Sequence, residues 1–112
     1  MVRPTKFQVQ SGVRGTEATL SVAGELDMRT TDELSDHVAA QVKLGAERLT
    51  LDLRELTFID SSGLRLLIEL HDRSREVGWT LRLIVPQHEA ALLVLTATGA
   101  DVALPFVQAG DE

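Results

Sequence analysis

The chain has no cysteine, so disulfides, thiolate metal sites and a cysteine nucleophile are all excluded. It has no long apolar run, and its first residues, MVRPTKFQVQ, lack the apolar core of a signal peptide. That predicts a cytoplasmic protein with no membrane insertion. No basic cluster exists either. Arg48, Arg54, Arg65, Arg73, Arg75 and Arg82 are scattered, and the net charge of -6 argues against nucleic-acid binding. The three histidines, His37, His71 and His88, are dispersed and give no metal-ligand spacing. Neither a Gly-x-x-x-x-Gly-Lys-Ser/Thr run nor a Gly-x-Ser-x-Gly elbow is present, which removes the usual sequence signals of a nucleotide cradle and a serine hydrolase. No cofactor or metal is implied, and an enzyme is not expected.

What is present is a chain of 112 residues, 44% apolar, of a size to make one domain over 1–112 with a core spanning about 6–108. Residues 1–5 read as a loose start. Phe7 and Val9 begin a weak first strand, and Ser11-Gly12 opens a polar turn reaching about Thr16. Ala18, Leu20 and Val22 alternate with polar residues in a clearer second strand, the hairpin partner of the first. Gly24-Glu25-Leu26-Asp27 leaves that strand. Thr30 and Glu33 have capping-box spacing, Leu34, Val38 and Val42 form a helical stripe, and Gly45 stops the helix.

The most informative stretch runs from Arg48 to Leu70. Leu49, Leu51 and Leu53 alternate as a strand over Arg48–Leu53, followed by a loop over Arg54–Asp60. A second helix runs from about Ser62 to Val77 and ends at Gly78. Leu64, Leu67, Ile68 and His71 share its apolar side, widened by Leu66 and Leu70, and the other side, with helix-pair spacings at 65/69 and 69/73, reads mainly as a solvated face. Thr80–Val85 is a fourth strand ended by Pro86. Trp79 before it reads as a packing anchor. Gln87–Thr96 is a short third helix followed by Gly99, and Pro105-Phe106-Val107 a last short strand or docking segment.

The order β-β-α-β-α-β-α, with a terminal strand, is α/β. Strand-helix-strand units imply parallel neighbours. The strands alternate rather than run apolar throughout, so a mixed, mostly parallel sheet of four to five strands is expected, with helices mainly on one face. The open face or an edge offers a place for a partner or a second copy, a homodimer.

Between the third strand and second helix lies Asp60-Ser61-Ser62-Gly63. The first N–H groups of a helix lack internal partners and carry partial positive charge. Asp60, Ser61 and Ser62 therefore read either as a simple cap or as a site for a phosphate, bound or covalently attached.

Two stretches, Gly24-Glu-Leu-Asp27 and Phe58-Ile-Asp-Ser-Ser-Gly-Leu64, give the chain its resemblance to the STAS domain family, specifically to bacterial anti-sigma factor antagonists. Leu95-Thr-Ala-Thr-Gly99 is a weaker third match, with Ala100 where a leucine is common. The resemblance covers nearly the whole length. It implies binding to an anti-sigma factor serine kinase, a histidine-kinase-like ATPase, so that a sigma factor is released. It implies phosphorylation on Ser61, which ends the interaction, and resetting by a metal-dependent serine phosphatase. Asp27, Asp60, Ser62, Gly63 and Arg65 are the implied partner-binding residues. Arg65 departs from the glycine common in relatives, and reads as a phosphate or kinase contact or as an ordinary solvated side chain. The alternative within the family is a scaffold or accessory subunit of a stress-signalling assembly or a membrane transporter.

Overall fold

The structure, a computed structural model, describes residues 6–108. The expectation for residues 1–5 lies outside that range. The elements are β1 (Gln8–Arg14), β2 (Glu17–Leu26), α1 (Thr31–Lys43), β3 (Arg48–Ile59), α2 (Ser61–Val77), β4 (Thr80–Ile84), α3 (Glu89–Thr98), α4 (Ala100–Ala103) and β5 (Phe106–Val107). The strands lie in the order β1-β2-β3-β4-β5. β1 runs antiparallel to β2, and every other neighbouring pair is parallel. The mixed, mostly parallel sheet expected from the sequence is therefore the one observed.

One hydrophobic core binds these elements. Leu20, Leu26, Leu49, Leu51, Leu53, Leu56 and Ile59 from the two long strands are fully buried against Leu34 and Val38 of α1 and Leu67 and Leu70 of α2. Ala91 and Leu95 of α3, Ala100 of α4 and Trp79 join the same cluster. Trp79 is thus the packing anchor its position suggested. The opposite face of the sheet is polar along Thr19, Ser21, Thr50, Asp52 and Arg82, alternate residues on neighbouring strands.

Several boundaries differ from the sequence reading. β1 continues through Ser11-Gly12 to Arg14, and the chain turns at Gly15-Thr16 instead. β2 includes Gly24-Glu25-Leu26 rather than ending before it. The largest difference is β3, which takes in the expected loop up to Ile59. Its pairing explains the error. Ser21 pairs with Asp52, but Ala23 pairs with Glu55; Gly24 pairs with Leu56, but Glu25 pairs with Phe58. β3 thus carries two extra residues relative to β2. Each bulge turns a step of two into a step of three, so the buried positions run 49, 51, 53 and then 56 and 59.

Thr30 occupies the N-cap position of α1, but no capping box forms. Its hydroxyl donates to the Glu25 carbonyl at 2.9 Å and accepts from the Asp27 N–H at 3.0 Å, so it braces the preceding turn. α3 is shifted two residues toward the C-terminus, and α4 follows it unforeseen. On α2 the buried line is Gly63, Leu66, Leu67, Leu70 and Ser74, and Ile68 is exposed. The apolar arc is thus rotated away from Ile68. No ion pair joins 65/69 or 69/73.

This rotation can be measured. Leu67→Ala should lower stability by about 2–5 kcal/mol, whereas Ile68→Ala should change it by about 0.5 kcal/mol or less. Urea unfolding of the two variants provides the comparison.

Candidate functional site

The carboxyl ends of β2 and β3 leave the sheet side by side, with Leu26 paired to Ile59. Each strand then feeds a helix, α1 or α2, at the same edge of the sheet. Crevices outside the carboxyl ends of parallel strands are where α/β sheets commonly place ligands. Asp27 follows one strand and Asp60-Ser61 the other.

The α2 end is tightly fixed. Asp60 is the N-cap in extended conformation, and its carboxylate accepts the Gly63 N–H at 3.0 Å. Its own N–H donates to the Leu26 carbonyl at 3.2 Å, which ties the cap to β2. Gly63 sits against the same carbonyl. A Cβ there would lie 2.6 Å from the Leu26 oxygen and 2.8 Å from a side-chain carbon of Ile59. Glycine is required for contact, since its φ is not in the left-handed region. Gly63 is buried. Its part is to set the height of the first turn of α2.

Ser61 is the first residue of that turn. It is exposed, and its hydroxyl has no hydrogen bond within the described residues. Asp60 supplies the cap, which leaves the Ser61 hydroxyl unused. Ser62 is half-buried and faces a shallow groove of about 240 Å³ between α1 and α2, shared with Arg65, Asp32 and Ser35. Arg65 is exposed one turn beyond Ser61 and forms no ion pair among the described residues.

Asp27 is occupied by its own loop. Its carboxylate accepts the Arg29 N–H at 2.9 Å and the Arg29 guanidinium at 3.1 Å. The bond from the Arg29 side chain, seconded by that from its backbone, holds the Asp27 carboxyl below the usual carboxylate range. Arg29 also lies 3.8 Å from Glu25. The sequence reading gives Arg29 no role here and reads Thr30 only as a helix cap. An Asp-x-Arg-Thr run after a strand end was the available signal. It also missed two apolar side chains at this edge: Met28 is 76% exposed and Phe58 39%. Phe58 lies within a quoted motif, but the sequence reading places it in a loop and gives it no direction.

Among the described residues, no group of three or more His, Cys, Asp or Glu side chains is placed to hold a metal, and no helix is long and apolar enough to cross a membrane.

A family model described as "Mlab, STAS domain" matches residues 9–105. The chain belongs to the STAS domain family. A curated relative, osmosensory protein A of Mycobacterium tuberculosis, is 29% identical over 76 residues, which cover 66% of this chain and 48% of that protein. The chain therefore spans about half the length of the curated relative it matches. Among solved structures, an anti-sigma factor antagonist from Mycobacterium paratuberculosis superposes with a TM-score of 0.79 at 23% identity, covering 95% of this chain and 89% of that one. The anti-sigma factor antagonist SpoIIAA in its unphosphorylated form gives 0.73 at 20% identity, with 95% and 90% covered. The phosphorylated form of Bacillus SpoIIAA gives 0.68 at 20% identity, with 95% and 93% covered. At these identities the likeness is one of STAS fold.

Two predictions follow from the site geometry. Gly63→Ala should destabilise the domain by about 2–3 kcal/mol because the obstacle is a backbone carbonyl. Gly12→Ala, where a Cβ meets nothing within 4 Å, serves as the control in chemical denaturation. The second concerns acid. A carboxyl depressed in the folded state stabilises the fold above its unfolded pKa, and that contribution disappears as pH falls through the folded value. Stability should thus be level near neutrality and decline below about pH 4. Asp27→Asn should make the decline shallower in thermal melts across that range.

Proposed function

We propose that this chain is an anti-sigma factor antagonist that binds an anti-sigma factor serine kinase, a histidine-kinase-like ATPase, and is released from it by phosphorylation of Ser61. One observation carries this reading. Ser61 presents a free, exposed hydroxyl on a helix start already held by Asp60, Gly63 and Leu26. A phosphoryl group there adds nearly two negative charges without breaking any bond that holds the turn. The helix N-terminus favours that charge by about 0.3–1 kcal/mol, so the domain stays folded when modified.

The partner experiences the charge differently. Met28 and Phe58 expose apolar surface at the end of the sheet that carries the serine, where Asp27 and Asp60 also lie. A like-charge pair at 4 Å is worth about 4 kcal/mol at an effective dielectric near 20. Tenfold in affinity takes about 1.4 kcal/mol. A single phosphate facing a docked acidic group therefore weakens binding by roughly a hundredfold or more. In this scheme Arg29 holds the Asp27 loop in shape, and Ser62 and Arg65 extend the contact along the groove beside α1. A metal-dependent serine phosphatase restores the hydroxyl. The protein acts as a regulator, with the chemistry done on it rather than by it.

A second reading is a scaffold or accessory subunit of a stress-signalling assembly or a membrane transporter; what favours it is only that the M. tuberculosis relative is a longer protein, 48% of which is matched. The main partner in a pull-down separates the two: a small kinase-like ATPase for the antagonist, a transporter ATPase for the accessory unit.

The switch is tested by two variants and an affinity measurement with the captured kinase. Ser61→Ala should bind as tightly as the parent and stay bound after ATP is added. Ser61→Asp should bind at least tenfold more weakly, about 1.4 kcal/mol. Equal binding by both, before and after ATP, overturns the proposal.

A further inference from the structure

The polar face of the sheet holds arginines that the Ser61 edge does not use. Strand register sets Thr19 of β2 beside Thr50 of β3, and Thr50 beside Arg82 of β4. Two residues earlier, Arg14 of β1 stands opposite Glu17 of β2, and Glu17 beside Arg48 of β3. These six side chains line an open trough of about 550 Å³. Within it Arg48 is paired with Glu17 at 2.9 Å. Arg14 and Arg82 have no ion-pair or hydrogen-bond partner among the described residues.

The row from Thr19 to Arg82 is the unusual part. Thr50 is only 7% exposed, yet its hydroxyl bonds to nothing among the described residues and still reaches solvent. Arg82 is half-buried at mid-strand, where a charge without a carboxylate beside it is ordinarily avoided. Two hydroxyls and a guanidinium fork on one surface, all unpartnered among the described residues, are the donors that a carboxylate takes up. The charge agrees. The chain has 17 acidic residues to 11 basic, whereas the trough has three arginines to one glutamate.

We propose that this trough is a docking surface for a short acidic segment of a partner protein, with a carboxylate seated on Arg82 and the Thr50 hydroxyl. Its width fits a peptide: three strand spacings from β1 to β4 make roughly 14 Å, the length of about four extended residues. A long nucleic acid would extend past the trough onto a body of net charge -6 and be repelled. The trough lies at the amino ends of β2 and β3, the far end of the sheet from Ser61. A partner held there stays bound whether or not Ser61 carries a phosphate, so the inference stands apart from the switch.

The test uses the full chain and a fluorescein-labelled hexaglutamate peptide in fluorescence anisotropy at low salt, with hexalysine and an oligothymidine as comparison probes. The acidic peptide should bind in a salt-sensitive manner. Arg82→Gln should weaken it by about fivefold or more, Arg82→Lys by less, and Ser61→Asp should leave it unchanged. Amide shifts on peptide addition should centre on Thr19, Thr50 and Arg82. Absence of binding, equal affinity in a folded Arg82→Gln variant, shifts centred on Ser61, or tighter binding of the oligothymidine through the same residues overturns the proposal.

Discussion

The contact on which the site depends is between the first turn of α2 and the last carbonyl of β2. The Leu26 oxygen receives the Asp60 N–H, and Gly63 lies so close that a Cβ there would sit 2.6 Å from the same atom. Parallel strands have no short turn to fix their relative ends; their alignment is set by what the crossover packs against. Here the α1 crossover, which begins at the Asp27 turn and packs through Leu34 and Val38, joins β2 to β3, and the α2 turn then locks the two strand ends together. Ser61 inherits its place from that lock.

The acidic groups near the serine are already committed to holding the backbone. Asp27 is bound to Arg29, and Asp60 is bound to the Gly63 amide. Both carboxylates serve structure, and neither hydrogen-bonds to the Ser61 hydroxyl. This division allows new charge to be placed at Ser61 without the local scaffold competing for it. A serine that capped its own helix would be a poor switch, because modifying it would disturb the cap. Having the preceding aspartate do the capping removes that conflict.

Much of this was legible in the sequence, for identifiable reasons. β2 buries every second residue from Ala18 to Leu26, so its alternation is clean. α2 is bounded by Asp60 and by Gly78, whose φ of 105° suits glycine, and both ends were readable. β3 was read only as far as Leu53, because its two bulges change the period and a strand that alternates in threes looks like loop. Ile68 was assigned to the core because apolar residues fill more than half the helix circumference, and composition cannot say which part of a wide arc faces inward. Thr30 had the right spacing for a capping box, but tertiary contact drew its hydroxyl to Glu25. Arg29 went unnoticed because its importance rests on a two-residue turn geometry, not on a periodic pattern.

The same strand geometry separates two kinds of surface. A parallel sheet gathers helix starts at one edge, and the Asp27 and Ser61 turns lie there. The opposite edge carries the beginnings of β2 and β3, where the bulges have not yet shifted the register and the polar residues stand in straight rows across three strands. Straight rows suit an extended ligand, because hydroxyl and guanidinium donors then repeat at the strand spacing. The bulges end this order at Asp52, beyond which the face is interrupted by the Asp52–Arg54 pair, with contacts at 2.9 and 2.6 Å. One strand thus has a regular half that can present a row of donors and an irregular half that buries Leu56 and Ile59 and leads into the serine's turn, and its two extra residues divide the two roles.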